Sequence, residues 1–253
     1  MRIIAVTNQK GGVGKTTSVV NIGAGLHRLG RNVLVVDMDP QAHLSYSLGI
    51  PVNDLERSVF EVLKGEAAVS ETLTDRDGLH VLPAHTDLAA AENALAAETG
   101  REMFLKEALA GASEYDYVLI DCPPNLGLLT LNALNAAHEV FVPMQAEFLS
   151  IKGLNNLMKL LIELKQRQNP ALELTGIILT LFDRRLRLNR EVVENLRHYF
   201  GRKLFPTFIR RNISLAEAAS FGQTIFEYAP RSHGSEDYTA LCHQITKMTK
   251  HDG

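Results

Sequence analysis

The fold of this chain is decided by the stretch Asn8-Gln9-Lys10-Gly11-Gly12-Val13-Gly14-Lys15-Thr16-Thr17, which lies between a short apolar run and a predicted helix. Glycines let the backbone curl closely around a ligand without side-chain clashes. The N-terminus of the following helix directs backbone N–H groups at that ligand, as a triphosphate requires. Lys15 is predicted to contact the β- and γ-phosphate oxygens, and the Thr16 hydroxyl to contact Mg²⁺. The stretch therefore predicts a nucleotide-binding loop.

This loop departs from the usual pattern at one position. The common form places a glycine five positions before Gly14, and that position is Gln9 here. A second lysine, Lys10, stands next to it. A glycine-rich turn with two flanking lysines would share these residue types, but not the order of strand, loop, Gly-Lys-Thr-Thr and helix. We therefore interpret the stretch as a lysine-bearing variant of the phosphate loop.

Apolar runs and amphipathic stretches alternate along the rest of the chain. Residues 32–36 and 117–120 are nearly all apolar, which is typical of parallel strands buried on both faces. Strands that alternate with helices indicate βαβ units. We predict an α/β, single-domain P-loop NTPase fold over residues 1–253, with a doubly wound, mostly parallel sheet flanked by helices. The predicted strands are residues 2–7, 32–36, 78–83, 117–120, 139–143 and 174–181; the predicted helices are 18–29, 87–109, 127–137, 151–168 and 189–199.

Three aspartates follow predicted strands. Asp37 and Asp39 come after the second strand, and Asp121 ends the strand at 117–120. A P-loop ATPase needs carboxylates at the carboxyl ends of strands beside the loop, to hold the metal and to position the attacking water. The alternative is that each aspartate caps the helix that follows. We expect Asp37 and Asp121 to form the magnesium site together with Thr16.

Charge is distributed unevenly along the chain. Residues 1–150 hold 10 Lys and Arg against 19 Asp and Glu, whereas residues 151–253 hold 16 against 10. Four arginines, Arg184, Arg185, Arg187 and Arg190, lie within seven positions. Clustered arginines suffice for nonspecific contacts with nucleic-acid phosphates. The alternative is a solvated helix face or salt bridges with the acidic first half.

Composition excludes several classes of protein. Two cysteines cannot form a disulfide framework, so a reducing cytoplasm is expected. No apolar run reaches the roughly 18 residues that a membrane-spanning helix needs. The nine histidines show no metal-binding spacing.

These motifs together resemble the ParA/MinD group of deviant Walker ATPases, most closely the short, Soj-like ParA proteins that segregate chromosomes and plasmids. The resemblance covers nearly the whole chain. It is carried by residues 10–17, 37–41, 121–124, 126–134, 189–193, 215–218 and 230–234.

The resemblance implies ATP and Mg²⁺ as cofactors and an ATP-dependent homodimer. In such proteins the extra lysine, here Lys10, reaches the phosphates bound to the partner subunit. Lys10, Lys15 and Asp39 are the expected catalytic residues, with Asp39 positioning the attacking water. The dimer is expected to bind nonspecific DNA through the four arginines and Arg211, at the nucleoid in the cytoplasm. A ParB-like centromere-binding partner is expected to stimulate hydrolysis.

The expected nucleotide contacts are Lys10, Gly11, Gly12, Val13, Gly14, Lys15, Thr16, Thr17, Phe182, Phe208, Ile209, Arg210 and Asn212.

The sequence also differs from the family pattern. Arg210 stands where a proline is usual near the adenine, and Ala42-His43 replaces a usual Gly-Asn pair. An N-terminal helix-turn-helix extension is not expected. These differences leave the recognition of the base open.

Two other functions remain as alternatives. A MinD-like positioning ATPase would act at a membrane or on a protein cluster, and needs an amphipathic C-terminal helix. Residues 244–253 hold only two large apolar residues, so no membrane contact is expected. A metabolic enzyme of the same superfamily, such as an amidoligase or a dethiobiotin synthetase, would need substrate-binding insertions for which 253 residues leave little room.

Overall fold

A computed structural model describes residues 1–248, without the side chains of residues 91, 92, 148, 149 and 151. Within this range the strands form one seven-stranded sheet of order β3-β4-β2-β5-β1-β6-β7. The strands are β1 (Arg2–Val6), β2 (Val33–Asp37), β3 (Thr74–Arg76), β4 (Leu79–Leu82), β5 (Tyr117–Asp121), β6 (Glu139–Gln145) and β7 (Glu173–Thr180). The helices are α1 (Lys15–Arg28), α2 (His43–Ser47), α3 (Val59–Leu63), α4 (Leu88–Ala94), α5 (Phe104–Ala108), α6 (Leu128–Ala136), α7 (Phe148–Arg167), α8 (Arg187–Phe200), α9 (Ser214–Ser220), α10 (Ile225–Tyr228) and α11 (His233–Lys247).

The sheet is parallel except at one edge. β1 pairs in parallel with β5 and β6, and β2 pairs in parallel with β4 and β5. Alternate residues of β1 enter different apolar clusters: Ile3 and Ala5 join one, Ile4 and Val6 the other. Because side chains alternate across a strand, the two clusters lie on opposite faces of the sheet, each covered by helices. The predicted doubly wound α/β fold is confirmed.

Apart from α2, α3, α9, α10 and α11, which lie outside the predicted helices, two parts of the fold differ from the prediction. The predicted helix over residues 87–109 is broken into α4 and α5, with Gly100 at φ 74° followed by a short 3-10 turn over Arg101–Met103. The first helix ends at Ala94, six residues before Gly100, and the left-handed glycine precedes the 3-10 turn that leads into α5. The second difference is β3, an antiparallel edge strand absent from the prediction. Its three residues are too few to give an alternating pattern.

None of the helices described is long and apolar enough to cross a membrane. The predicted absence of a C-terminal anchor falls partly outside the described residues, because 249–253 lie beyond them.

Candidate nucleotide site

The phosphate loop joins β1 to α1. Gly12 and Gly14 adopt the left-handed backbone, with φ of 70° and 81°, which residues with a Cβ rarely adopt. Gly14 directly precedes α1. The first N–H groups of a helix have no acceptor within the helix, so they are free to bind an anion. The loop is therefore shaped as a phosphate cradle.

A cavity of about 360 Å³ opens over this loop. Lys15 lies in its wall and is only 8% exposed, and its ammonium makes no hydrogen bond or ion pair with any described residue. Lys15 interacts electrostatically with the buried Asp121, and its ammonium can donate charge-assisted hydrogen bonds to a phosphate group. The lining residues are Gly11, Gly12, Gly14, Lys15, Thr16, Thr17, Asp39, Gln41, His43 and Pro124.

Two aspartates meet behind this cavity. Asp37 and Asp121 are register partners on β2 and β5, and both are fully buried. Thr16 donates its hydroxyl to Asp121 Oδ2 at 2.7 Å, whereas Asp121 Oδ1 is buried without a hydrogen-bond partner among the described residues. Burial, and then the charge of Asp37, raise the pKa of Asp121 well above its usual range. The unpartnered oxygen beside Thr16 fits a divalent cation or its bound water.

Asp37 is bound more completely than Asp121. Its Oδ2 accepts hydrogen bonds from the backbone N–H and the hydroxyl of Ser45, at 3.0 and 2.8 Å. Its Oδ1 accepts the N–H of Asp39 at 3.2 Å. Burial raises the pKa of Asp37 to about 6 in spite of these bonds. This carboxylate therefore ties the loop after β2 to α2, beside the position where a cation fits.

The Ser45 hydroxyl gives a test of this arrangement. It donates to Asp37 and accepts the N–H of Ala84 at 3.1 Å, and it is fully buried. Ser45→Ala leaves both groups short of a partner, so we expect a loss of about 2 kcal/mol in the free energy of unfolding. Urea unfolding measures it. Ser70→Ala, at an exposed serine, should change stability by less than about 0.5 kcal/mol; an equal loss in both variants would contradict the interpretation.

A second cavity of about 210 Å³ adjoins the first, since both are lined by Gly12, Gly14 and Thr17. One end of the joint cleft thus carries the phosphate loop, and the other suits a base and sugar. The lining residues of this second cavity are Gly12, Gly14, Thr17, Thr180, Leu181, Ile209, Arg210, Asn212, Leu215, Ala216 and Tyr238.

The expected base contacts divide into two sets. Ile209, Arg210 and Asn212 line the second cavity. Phe182 and Phe208 line neither cavity; their rings contact each other, with centroids 4.6 Å apart, and pack on the core. The family resemblance implied both as nucleotide contacts, and that role stays a prediction.

Arg210 is held by an ion pair. Its guanidinium donates to Asp237 Oδ1 at 2.6 Å and to Glu236 at 3.0 Å, and these carboxylates raise its pKa. Its backbone N–H also donates to Asp237. Arg210 thus fixes the cavity wall to α11, where the usual proline would have fixed only its own backbone.

Lys10 points away from the cleft. Its Nζ is 2.7 Å from Glu147 Oε2 and 3.1 Å from Gln145 Oε1, and it lines neither cavity. Its side chain is 43% exposed, so the ion pair is screened and weak. The two lysines of the loop therefore have different positions: Lys15 faces the cleft of its own subunit, and Lys10 does not.

The second-half arginines gather on one surface. Phe182 forms an isolated bridge with Arg210, which brings Arg211 beside the segment that carries the four clustered arginines. Arg185 pairs with Asp183 and Arg187 with Glu191, each at 2.8 Å. Arg184, Arg190 and Arg211 are exposed and have no ion pair among the described residues. The two ion pairs are local to residues 183–191 and do not involve the acidic first half of the chain, so DNA contact by these arginines stays a prediction.

Several cleft residues were missed by the sequence analysis. Thr180 donates its hydroxyl to Val13 O at 2.8 Å, and Tyr238 lies 3.2 Å from the Ser18 hydroxyl. Both come from chain segments far from the loop, so no local pattern identifies them. Gln41 and His43 also line the phosphate cavity. They follow Asp39 closely in the sequence, and this proximity to a predicted site residue could have identified them.

The Ala42-His43 pair has a local consequence. Ala42 is fully buried at φ 51°, a left-handed conformation that costs a residue with a Cβ about 1–2 kcal/mol. The usual glycine would avoid this strain but would lose the buried methyl group. His43 places an imidazole in the wall of the phosphate cavity.

A parallel sheet, a glycine loop at a helix N-terminus and two aspartates at adjoining strand ends define a P-loop nucleotide-binding protein. The AAA domain family model matches residues 1–174. The chain is 44% identical over 249 residues to the chromosome partitioning protein ParA of Myxococcus xanthus, covering 97% of this chain and 88% of that protein. It is 46% identical over 245 residues to the chromosome-partitioning ATPase Soj of Thermus thermophilus, covering 97% and 95%. The chain belongs to the ParA/Soj family of P-loop partitioning ATPases, which confirms the resemblance.

Solved structures agree on the fold. A cobyrinic acid a,c-diamide synthase from Mycobacterium smegmatis, with bound ADP and magnesium, superposes with a TM-score of 0.86 at 40% identity, covering 98% of this chain and 94% of that one. The septum site-determining protein MinD of Pyrococcus horikoshii, complexed with Mg-ADP, gives 0.78 at 28% identity, covering 97% and 96%.

Proposed function

We propose that this protein is an ATPase that dimerises with ATP, binds nonspecific DNA in that state and acts in chromosome or plasmid partitioning. Its cofactors are ATP and Mg²⁺, and a ParB-like partner stimulates hydrolysis in the cytoplasm, at the nucleoid. The observation that carries the proposal is the arrangement of the two loop lysines. Lys15 is buried in the cleft without a partner, whereas Lys10 is exposed beside it. A second subunit is the natural acceptor for Lys10.

The cleft residues take separate roles in this proposal. Lys15 and the loop N–H groups bind the phosphates, while Thr16 and Asp121 hold Mg²⁺ and Asp37 fixes the loop beside them. Asp39 lines the same cavity, and its Oδ1 accepts the N–H of Gln41 at 2.9 Å. That bond leaves Oδ2 to orient the attacking water. Lys10 of a second subunit adds a cation where charge builds on the γ-phosphate.

The DNA-binding part rests on charge and exposure. Arg184, Arg190 and Arg211 are exposed cations on the surface that follows β7. Dimerisation doubles the number of such cations that meet one duplex. Phosphate contacts give affinity without reading sequence, which suits a protein that binds the nucleoid broadly.

DNA binding in three nucleotide states tests the proposal. We expect a random-sequence duplex to bind with ATP but not with ADP or without nucleotide, as measured by fluorescence anisotropy. With six phosphate contacts, three from each subunit, affinity should fall about 1,000-fold between 50 and 200 mM salt. The double variant R184A/R190A should weaken binding and flatten this salt dependence, whereas Arg31→Ala, at an exposed arginine near the start of β2, should not. DNA affinity that depends on neither the bound nucleotide nor the salt concentration would refute the proposal.

The MinD-like alternative predicts a different binding surface. The fold similarity to MinD makes it worth testing in parallel. Sedimentation with anionic liposomes separates the two functions: we expect the ATP-bound protein to stay in the supernatant. Liposome binding that depends on ATP, without DNA binding, would favour the alternative.

The synthase similarity supports a second candidate of another class. The Mycobacterium smegmatis chain is nearly the same length as this one, so the shortage of room for insertions does not by itself exclude an amidoligase. Such an enzyme would consume ATP only with a carboxylic acid substrate and an amide nitrogen donor. We expect no ATP-dependent amidation of cobyrinic acid with glutamine or ammonia, followed by mass spectrometry; formation of the diamide would establish the second candidate.

A further inference from the structure

A second concave surface lies among α3, α4 and α5, away from the nucleotide cleft. It encloses about 640 Å³ and shares no lining residue with either nucleotide cavity. Its walls include Val62 and Leu63 from α3, Leu95 just after α4, and Phe104 from α5. This size and apolar lining are those of a binding site rather than of a packing defect.

The cavity continues into a smaller one of about 130 Å³. The two share Ala68, Val69 and Ala108 in their walls, and the smaller one extends to Leu73 and Gly111. Together they form one groove, called the α3–α5 groove below. Its alanine and glycine walls let a helix backbone approach closely.

The rim of the groove is acidic. Glu98, Glu107 and Glu114 line it, and none has an ion pair among the described residues. Lys64, the basic residue of the lining, pairs instead with Glu66. Residues 51–114, which build the whole surface, hold 13 Asp and Glu against 5 Lys and Arg. A partner that docks here should therefore be basic.

We propose that the α3–α5 groove binds an amphipathic helix of a partner protein, with leucine-sized side chains on one face and lysine or arginine beside them. The apolar face fills the groove at helical spacing, as in other helix-in-groove complexes. The basic residues meet the three unpaired glutamates. The groove lies near the β3 edge of the sheet, so this docking leaves the nucleotide cleft open.

A model peptide tests the groove directly. The probe is a fluorescein-labelled 16-residue peptide of leucine and lysine only, with leucines at helical positions i, i+3, i+4 and i+7, and the readout is fluorescence anisotropy with the full chain. We expect micromolar binding that Ala68→Trp weakens at least about tenfold, because the indole fills the junction of the two cavities. Glu107→Lys should weaken it about threefold to tenfold. Hydrogen exchange should show peptide-dependent protection of residues 62–69 and 94–108.

Matched controls distinguish peptide binding in the groove from a general effect of surface charge. Glu194→Lys changes an exposed, unpaired glutamate on α8 and should leave peptide affinity within about twofold. Ala94→Phe is a second variant that fills the groove, in case Ala68→Trp does not fold. Unchanged ATP binding shows that either variant is correctly folded. Equal weakening by Glu194→Lys, undiminished binding to both filling variants, or equal binding of a peptide with serine for leucine would overturn the proposal. So would a change of oligomeric state in the filling variants, which would assign the groove to a second copy of this chain.

Discussion

Replacing Lys15 with alanine should abolish nucleotide binding while leaving the fold intact. The ammonium is 8% exposed and makes no hydrogen bond with a described residue, so its donors are available for a phosphate. Charge-assisted hydrogen bonds to a phosphate are worth about 1.5–3 kcal/mol each. Two such bonds correspond to a loss of at least about 100-fold in ATP affinity. Isothermal titration calorimetry with Mg-ATP measures this loss.

A thermal unfolding experiment provides the control for Lys15→Ala. ATP stabilises the native protein by mass action, so wild type should unfold at a higher temperature with ATP than without. The variant should show no such increase, while it still unfolds cooperatively without ATP. Lys159→Ala, at an exposed lysine of α7, should keep the full ATP effect. ATP affinity within threefold of wild type for Lys15→Ala would place the phosphate site elsewhere.

The parts of the site that the sequence predicts are those encoded by neighbouring residues. Lys15 and Thr16 are fixed by the loop motif, and Asp37 and Asp121 by their place at the ends of apolar strands, which parallel pairing then brings into register. The wall of the base cavity is different, because Thr180 and Tyr238 reach it from segments more than 150 residues beyond the loop. Only the packing of α11 and β7 brings them there.

The nucleotide contacts expected for Phe182 and Phe208 came from the family resemblance rather than from a local pattern, and in the structure the two rings pack against each other. A local pattern was insufficient for the helix predicted over residues 87–109. Its alanine-rich pattern is helical throughout, but α4 ends at Ala94 and turns lead to the left-handed Gly100 before α5 begins. Local propensity does not show where this break falls, because glycine is tolerated inside many helices.

Lys10→Ala separates nucleotide binding from dimerisation. Lys10 lines neither cavity of its own subunit, so ATP affinity in the monomer should stay within about threefold of wild type. Its ion pair with Glu147 is exposed and weak, so little stability is lost with it. In a dimer the same ammonium would meet the γ-phosphate of the second subunit, where few waters screen it. We expect the variant to remain a monomer with ATP and to lose ATP-dependent DNA binding at least about 100-fold.

Analytical ultracentrifugation with a slowly hydrolysed ATP analogue measures this outcome, and Glu147→Gln is its informative companion. That change releases Lys10 from its partner within the subunit while keeping the shape of the side chain, so dimerisation should be maintained or strengthened. The two variants thus alter one ion pair from opposite sides and should move the dimerisation constant in opposite directions. A Lys10→Ala protein that still dimerises with ATP would show that Lys10 acts only within its own subunit, and the dimer would then need a different cation at the γ-phosphate.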